Sequence, residues 1–89
     1  SASDVVSIQD SDYAEAQVMA DSFKGLISKL PAVENLSASD ASSLSAVRTL
    51  YNSLTAYQKQ FINDADLAKL SSLENRMDAI NKAKNSSDN

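Results

Sequence analysis

The sequence contains no cysteine and no histidine, and it has one glycine and one proline. Without cysteine the chain cannot form disulfides, thiol nucleophiles or cysteine-based zinc sites. The absence of histidine removes the most common general base and metal ligand. A β-sandwich or barrel needs several hairpins with their own turn residues, which one glycine and one proline do not supply. These absences favour long helices, and we expect neither enzymatic activity nor a metal or other cofactor.

The length and charge of the chain limit its partners. With 89 residues it fits one domain, and 12 acidic against 8 basic residues give a net charge of −4. Nucleic acids and anionic membrane surfaces attract clusters of lysine and arginine, whereas the basic residues here are scattered. No segment approaches the ~20 apolar residues of a membrane span. We therefore expect neither nucleic-acid binding nor membrane insertion.

Polarity divides the chain into three parts. Residues 1–11 are polar around one short apolar run, and we expect a linker or the tail of a preceding domain; a strand or strap packed on the bundle is the alternative. Residues 12–84 carry helical periodicity and form the predicted bundle module, followed by a frayed tail over residues 85–89. The sequence shows no signal peptide, which fits either a cytosolic protein or an excised piece of an exported one. We favour the second interpretation.

Apolar residues at steps of three and four predict three principal helices, each with one apolar stripe. Short connections make neighbouring helices antiparallel. The predicted fold is all-α, an antiparallel three-helix bundle whose middle helix is kinked or broken near Asn52–Thr55, although the spacing also permits one continuous helix. The predicted core comprises Phe23, Leu26, Leu44, Val47, Tyr51, Leu54, Phe61, Leu70, Leu73, Met77 and Ile80.

Four polar residues stand where helices are predicted to begin. Side chains of this type accept hydrogen bonds from the first free amides of a helix, and an acidic or amide residue three positions later can complete a capping box. Asp12, Ser37 and Thr55 each have such a partner, and Asn63 precedes the last helix. Helix capping also explains two Asp-x-Asp pairs, since a calcium loop needs further ligands and a glycine turn that do not follow them.

Candidate partner-binding residues are Tyr57, Tyr13 and the neighbouring Lys59, which could form a surface for sugar or protein. Core or boundary packing is the simpler interpretation of the tyrosines. Arg48 lies at the edge of an apolar stripe, where we expect it to pair with a carboxylate, and Glu74 is the preferred partner. No serine has a histidine base and no two acids converge in a predicted cleft, so no catalytic residue is assigned.

Residues 27–62 carry a spaced pattern of helix starts, helix ends and core positions. Its parts are Ile27, Leu30-Pro31, Leu36-Ser37 with Asp40, Val47-Arg48, Tyr51, Leu54-Thr55, Gln58-Lys59 and Ile62-Asn63, with Leu73-Glu74 further on. This pattern resembles a helical repeat module of exported proteins of Gram-positive bacteria, among them S-layer proteins and surface proteins or secreted enzymes with Ig-like repeats. Val47 departs from the alanine usual in that family.

The resemblance implies a non-enzymatic structural or spacer module, located extracellularly or on the cell surface, whose partners are neighbouring domains of the same chain. It also leaves open a module that binds cell-wall glycan or another protein, and an S-layer-type assembly module. Every matched position is a cap, a core residue or the boundary arginine, so the resemblance assigns no catalytic residue.

Overall fold

The computed structural model describes residues 10–87, and this part of the chain is helical without a β-strand. Four α-helices follow one another: α1 over Asp10–Lys29, α2 over Ala41–Ser53, the short α3 over Ala56–Lys59 and α4 over Asp64–Ser87. Two 3₁₀ turns, Val33–Asn35 and Ala38–Asp40, connect α1 to α2. The predicted all-α bundle with a broken middle helix is thus confirmed. Most of the predicted linker and the last residues of the predicted tail lie outside the described residues.

The long helices pack with a stagger. Lys24 lies beside Asp66 and Lys69 reaches the carbonyl of Ile27, so both contacts join residues 42 positions apart. α1 and α4 therefore run parallel, with the start of α4 beside the second half of α1. The first half of α1 instead contacts the α3 region, where Tyr13 meets Phe61. α2 runs antiparallel to both, since Phe23 contacts Tyr51 whereas Lys29, further along α1, shares a groove with Asp40 just before α2. It contacts α1 and α4 and joins them into one bundle.

The middle helix is broken between Ser53 and Ala56. Leu54 has extended backbone angles (φ −71°, ψ 145°) and is buried. Thr55 then starts α3: its hydroxyl accepts a hydrogen bond from the Gln58 amide at 3.1 Å, and its own amide donates to Gln58 Oε1 at 3.0 Å. This reciprocal pair is the predicted capping box. Phe61 and Ile62 follow the end of this short helix.

Of the other predicted caps, Asn63 is present, Ser37 begins a 3₁₀ turn that precedes α2 and not α2 itself, and Asp12 is wrong. The Asn63 side chain accepts a hydrogen bond from the Ala65 amide at 2.7 Å, which caps α4. The Asp40 carboxylate accepts one from the Ser37 amide at 2.9 Å at the start of the Ala38–Asp40 turn. Asp12 is not a helix start, because α1 is already helical at Asp10.

The helical ends also extend past the predicted module. Residues 10 and 11, predicted as linker, belong to α1, and residues 85–87, predicted as frayed, belong to α4. Propensity and dipole arguments do not locate a helix end to within a few residues, because polar residues such as Asn and Ser cost only a few tenths of a kcal/mol each in an exposed last turn.

The apolar stripes of the helices close over one another in a single core. Phe23, Leu70 and Leu73 are its largest fully buried side chains. Tyr51 and Ile80, predicted in the core, are half-buried at its margin. Phe61, also predicted there, is half-buried and packs against Tyr13 and Tyr57. The buried core comprises Ala16, Phe23, Ile27, Leu30, Leu36, Leu44, Val47, Leu54, Ile62, Leu70, Leu73 and Met77.

Leu26 was predicted in the core, but it lies on the surface with 36% of its area exposed. Its position on α1 is at the flank of the apolar stripe, where Ile27 and Phe23 already occupy the central line facing the other helices. The three- and four-residue spacing fits Leu26 as well as Ile27, so periodicity alone does not separate the two.

Among residues 10–87, no buried side-chain nitrogen or oxygen lacks a hydrogen-bond partner. Within the same range, none of the helices combines the length and the hydropathy needed to cross a membrane. Gly25 lies in the interior of α1. A Cβ atom built there would meet nothing within 4 Å, so no close approach by another helix requires a glycine at this position.

Candidate functional site

Three aromatic rings meet where the first half of α1 faces α3. The Phe61 ring receives Tyr13 at 5.5 Å and Tyr57 at 5.1 Å between centroids, both in edge-to-face geometry. Such pairs contribute about 0.5–1.5 kcal/mol beyond the burial of their area. Tyr13 is nevertheless 54% exposed, while Tyr57 and Phe61 are half-buried. The structure therefore brings both predicted partner-binding tyrosines together, on either side of a phenylalanine predicted for the core.

A shallow cleft adjoins this aromatic cluster between α1 and the start of α3. Its walls include Glu15 on α1 and Tyr57 on α3, with the Thr55–Gln58 capping box at one side. The capping box already uses the hydroxyl of Thr55 and the side-chain oxygen of Gln58. The cleft can therefore offer a ring surface and negative charge to a partner, but few uncommitted polar groups.

Lys59, the third predicted partner-binding residue, is separate from this cluster. Its ammonium lies 5.0 Å from the centroid of the Tyr51 ring. The guanidinium of Arg48 is also within 5.4 Å of the same ring. A cation over an aromatic face contributes about 0.5–1 kcal/mol at an exposed site. Lys59 thus links α3 to α2 through the Tyr51 ring and is not part of the cluster that contains Tyr13 and Tyr57.

The predicted pair of Arg48 and Glu74 is present and joins α2 to α4. Arg48 Nε donates to Glu74 Oε2 at 2.8 Å, and Nη2 donates to Oε1 at 2.6 Å. The hydrogen bond to Glu74 raises the pKa of Arg48 above its ordinary value; desolvation opposes that rise and the charge of Glu74 adds to it. Both carboxylate oxygens of Glu74 accept from the guanidinium, and the pair lies in the wall of an open groove between α2 and α4.

Asp64 and Asp66, one of the two Asp-x-Asp pairs, lie at the start of α4. Across residues 10–87, no three or more acidic side chains come together in an arrangement that could hold an ion. Asp66 lies 3.4 Å from the ammonium of Lys24 on α1 and links α4 to that helix. Asp64 and Asp66 also stand in the first turn of α4, where negative charge favours the helix dipole.

Lys69 has a structural role that the sequence did not predict. Its ammonium donates to the carbonyl oxygens of Ile27 at 3.1 Å and Leu30 at 3.3 Å, at the end of α1. The last carbonyls of a helix have no partner within it, and a lysine is one way to satisfy them. Leu30-Pro31 does mark where such carbonyls occur, but the sequence alone does not show that Lys69 comes near them.

Comparisons with family models, with curated proteins and with solved structures find no match to this chain.

Proposed function

We propose that this chain is a non-enzymatic spacer module of a secreted or cell-surface bacterial protein, and that it holds neighbouring domains of the same chain apart. The observation that carries the proposal is the position of the two ends of the bundle. α1 and α4 run parallel, and residues that lie beside each other on the two helices differ by 42 in number. The first residue of α1 and the last residue of α4 are therefore at opposite ends of the bundle. Ser87 is thus level with a point about 35 helical residues beyond Asp10 on the axis of α1, and at 1.5 Å per residue the two residues are about 50 Å apart along the bundle.

The way in which polar groups are used also supports a structural role. Arg48, Glu74 and Lys69 join helices to one another. Glycosidase-type chemistry needs two carboxyl groups converging on one bond, and nucleophilic chemistry needs an adjacent base. The ion pairs Arg48–Glu74 and Lys24–Asp66 each join two helices and stabilise the bundle. The secreted or surface location is proposed from the resemblance of residues 27–62 to modules of exported proteins.

The spacing can be measured because the chain has no cysteine of its own. Ser11→Cys and Asn85→Cys place one spin label near each end of the bundle, at exposed positions. We expect a distance of about 50 Å between the labels by pulsed electron resonance. A distance well below ~30 Å would mean that the ends come together, and the spacer proposal would fail.

The function itself is tested in the parent protein. Antibody against this module should bind intact cells, and replacing the module by an unrelated helical bundle of the same end-to-end length should preserve the parent's activity. Deleting it without a replacement should reduce that activity. Detection in the cytosol only would reject the surface location, and loss of activity with the length-matched replacement would reject a pure spacer.

A second candidate, binding of cell-wall glycan or a partner protein, is favoured by the exposed ring of Tyr13, which contacts Phe61 as Tyr57 does. The test compares retention of the wild type and of Tyr13→Ala/Tyr57→Ala on purified cell wall. Val18→Ala is the matched control, since Val18 is 60% exposed elsewhere on α1. Loss of retention in the tyrosine variant alone supports binding at this site. Equal retention of all three proteins, or none by the wild type, rejects it.

A further inference from the structure

The surface between α1 and α2 has an apolar groove with an exposed leucine at its edge. Buried Leu30 and Val47 and half-buried Pro31 form the floor. Leu26 rises from the α1 side with 36% of its area exposed. On the α2 side the residues are small, Ser43 and Ala46. An exposed leucine on the α1 side and two small residues on the α2 side therefore line the same groove.

The rim of this groove is charged, with opposite signs on its two sides. Lys29 lies on the α1 side and Asp40 on the α2 side, both at the same end of the bundle. Lys29 is exposed and Asp40 half-buried. One oxygen of Asp40 accepts the Ser37 amide, which fixes the direction of the carboxylate.

We infer that this groove is the contact surface for a second copy of the chain, in a parallel two-fold dimer. The two-fold axis of this dimer runs along the groove, parallel to the helices. It places the α1 side of one copy opposite the α2 side of the other, and equivalent residues of the two copies lie at the same position along the axis. Leu26 of each copy then faces Ser43 and Ala46 of its partner copy. By the same operation Lys29 faces Asp40, and the ion pair forms twice.

The pairing follows from symmetry and uses both features of the surface. Two-fold interfaces are self-complementary, so a knob must face a hollow and a cation must face an anion across the axis. Each requirement is met here by residues on opposite sides of one groove. In an antiparallel arrangement, with the two-fold axis perpendicular to the helices, the α1 side of one copy would face the α1 side of the other, and Lys29 would not face Asp40. The charges therefore select the parallel dimer.

Sedimentation of the wild-type chain and of Leu26→Glu, over a roughly hundredfold concentration range reaching about 1 mM, tests this inference. The wild type should show a reversible monomer–dimer equilibrium. Leu26→Glu should raise the dissociation constant by at least ~10-fold, because it replaces the exposed apolar side chain of the contact by a charge that faces the small residues Ser43 and Ala46. Its helix content by circular dichroism should equal that of the wild type, since Leu26 is outside the core.

Val18→Glu is the matched control, because Val18 is an exposed apolar residue of the same helix about 12 Å from Leu26 along its axis and outside the groove. It should dimerise like the wild type. Lys29→Gln should weaken the dimer and reduce the dependence of its dissociation constant on salt.

A wild type that remains monomeric at the highest concentration overturns the dimer. So does a Leu26→Glu variant that dimerises as well as the wild type, or a Val18→Glu variant that weakens the dimer as much as Leu26→Glu. The spacer proposal is tested by end-to-end distance and module replacement, so either proposal can fail without the other.

Discussion

Arg48 holds Glu74 through two hydrogen bonds across the α2–α4 interface, and both side chains remain about one-third exposed, at 32% and 31%. The paired geometry fits the planar guanidinium to the planar carboxylate, which adds direction to the attraction. Partial exposure reduces its energy, because water screens the charges and already solvates each group. The pair therefore stabilises the packing of α4 against α2 by a moderate amount.

We expect Glu74→Gln to lower the free energy of unfolding by about 0.5–1 kcal/mol, since it keeps the size of the side chain but removes its charge. Arg48→Met should cost more, because the guanidinium also contacts the Tyr51 ring. A double-mutant cycle by urea unfolding isolates the coupling between the two residues. A coupling energy that is indistinguishable from zero, or unchanged in 1 M salt, would contradict an ion pair.

The pH dependence of this pair follows from the raised pKa of Arg48. A cation whose pKa is higher in the folded state stabilises the fold fully below its unfolded pKa, and that contribution is lost as pH rises through the folded value. The ordinary pKa of arginine is already strongly alkaline and Glu74 raises it further, so the loss falls at strongly alkaline pH. Between pH 6 and 9, therefore, Arg48→Met should change stability by a constant amount. A difference that varied by more than ~0.5 kcal/mol in this range would contradict the assignment.

Gly25→Ala should stabilise the chain by about 1 kcal/mol. Alanine is favoured over glycine by that amount in a helix interior, and the added Cβ meets no atom within 4 Å. Ala68→Gly is a matched control at an exposed position of α4 and should have the opposite effect of similar size. Thermal or urea unfolding measures both. Destabilisation by Gly25→Ala would show that another surface approaches this face of α1 in solution.

Tyr51→Ala should cost about 2–3 kcal/mol, less than a fully buried aromatic residue because the ring is half-buried. The ring lies 5.8 Å from that of fully buried Phe23 and has cations on Arg48 and Lys59 beside it. Tyr51→Leu keeps much of the apolar volume and should recover about half of the loss, and the remainder reports the aromatic contacts. A cost below about 0.5 kcal/mol for Tyr51→Ala would mean that the ring does not pack there.

Local sequence signals predicted the parts of the fold that depend on neighbouring residues. The break after Ser53 and the capping box of Thr55 with Gln58 follow from residues only three positions apart, and the structure has both. The Arg48–Glu74 pair was reached because each residue adjoins a core position on its own helix. Asp12 shows the limit of such signals, since a good capping residue also tolerates the first turn of a helix that began earlier.

Features that depend on how helices are displaced along one another were not predictable. The stagger that places Lys69 at the end of α1 is set by packing of the whole core, and no spacing within α4 indicates it. The same packing decides that Ile27 faces inward and Leu26 outward. For the candidate site, the sequence selected Tyr13 and Tyr57 but not their contact through Phe61, and it grouped Lys59 with them because of proximity in sequence only.

The broken middle helix depends on Thr55, and Thr55→Ala should lower the free energy of unfolding by about 1 kcal/mol. The substitution removes the acceptor of the Gln58 amide and leaves that donor without its side-chain partner at the start of α3. Thr55→Ser keeps the hydroxyl and should restore most of the stability. Thr49→Ala is the matched control, because Thr49 is exposed in the interior of α2, where alanine is the better helix former.

Urea unfolding of the three variants measures these costs, and circular dichroism separates a lost cap from a fused helix. If α2 and α3 joined into one continuous helix when the cap is removed, helix content would rise. Leu54 argues against fusion, since its extended backbone places its side chain in the core, and a continuous helix would have to reposition it. We therefore expect unchanged or slightly lower helix content in Thr55→Ala. An increase, with stability preserved, would show that the break is held by the cap alone.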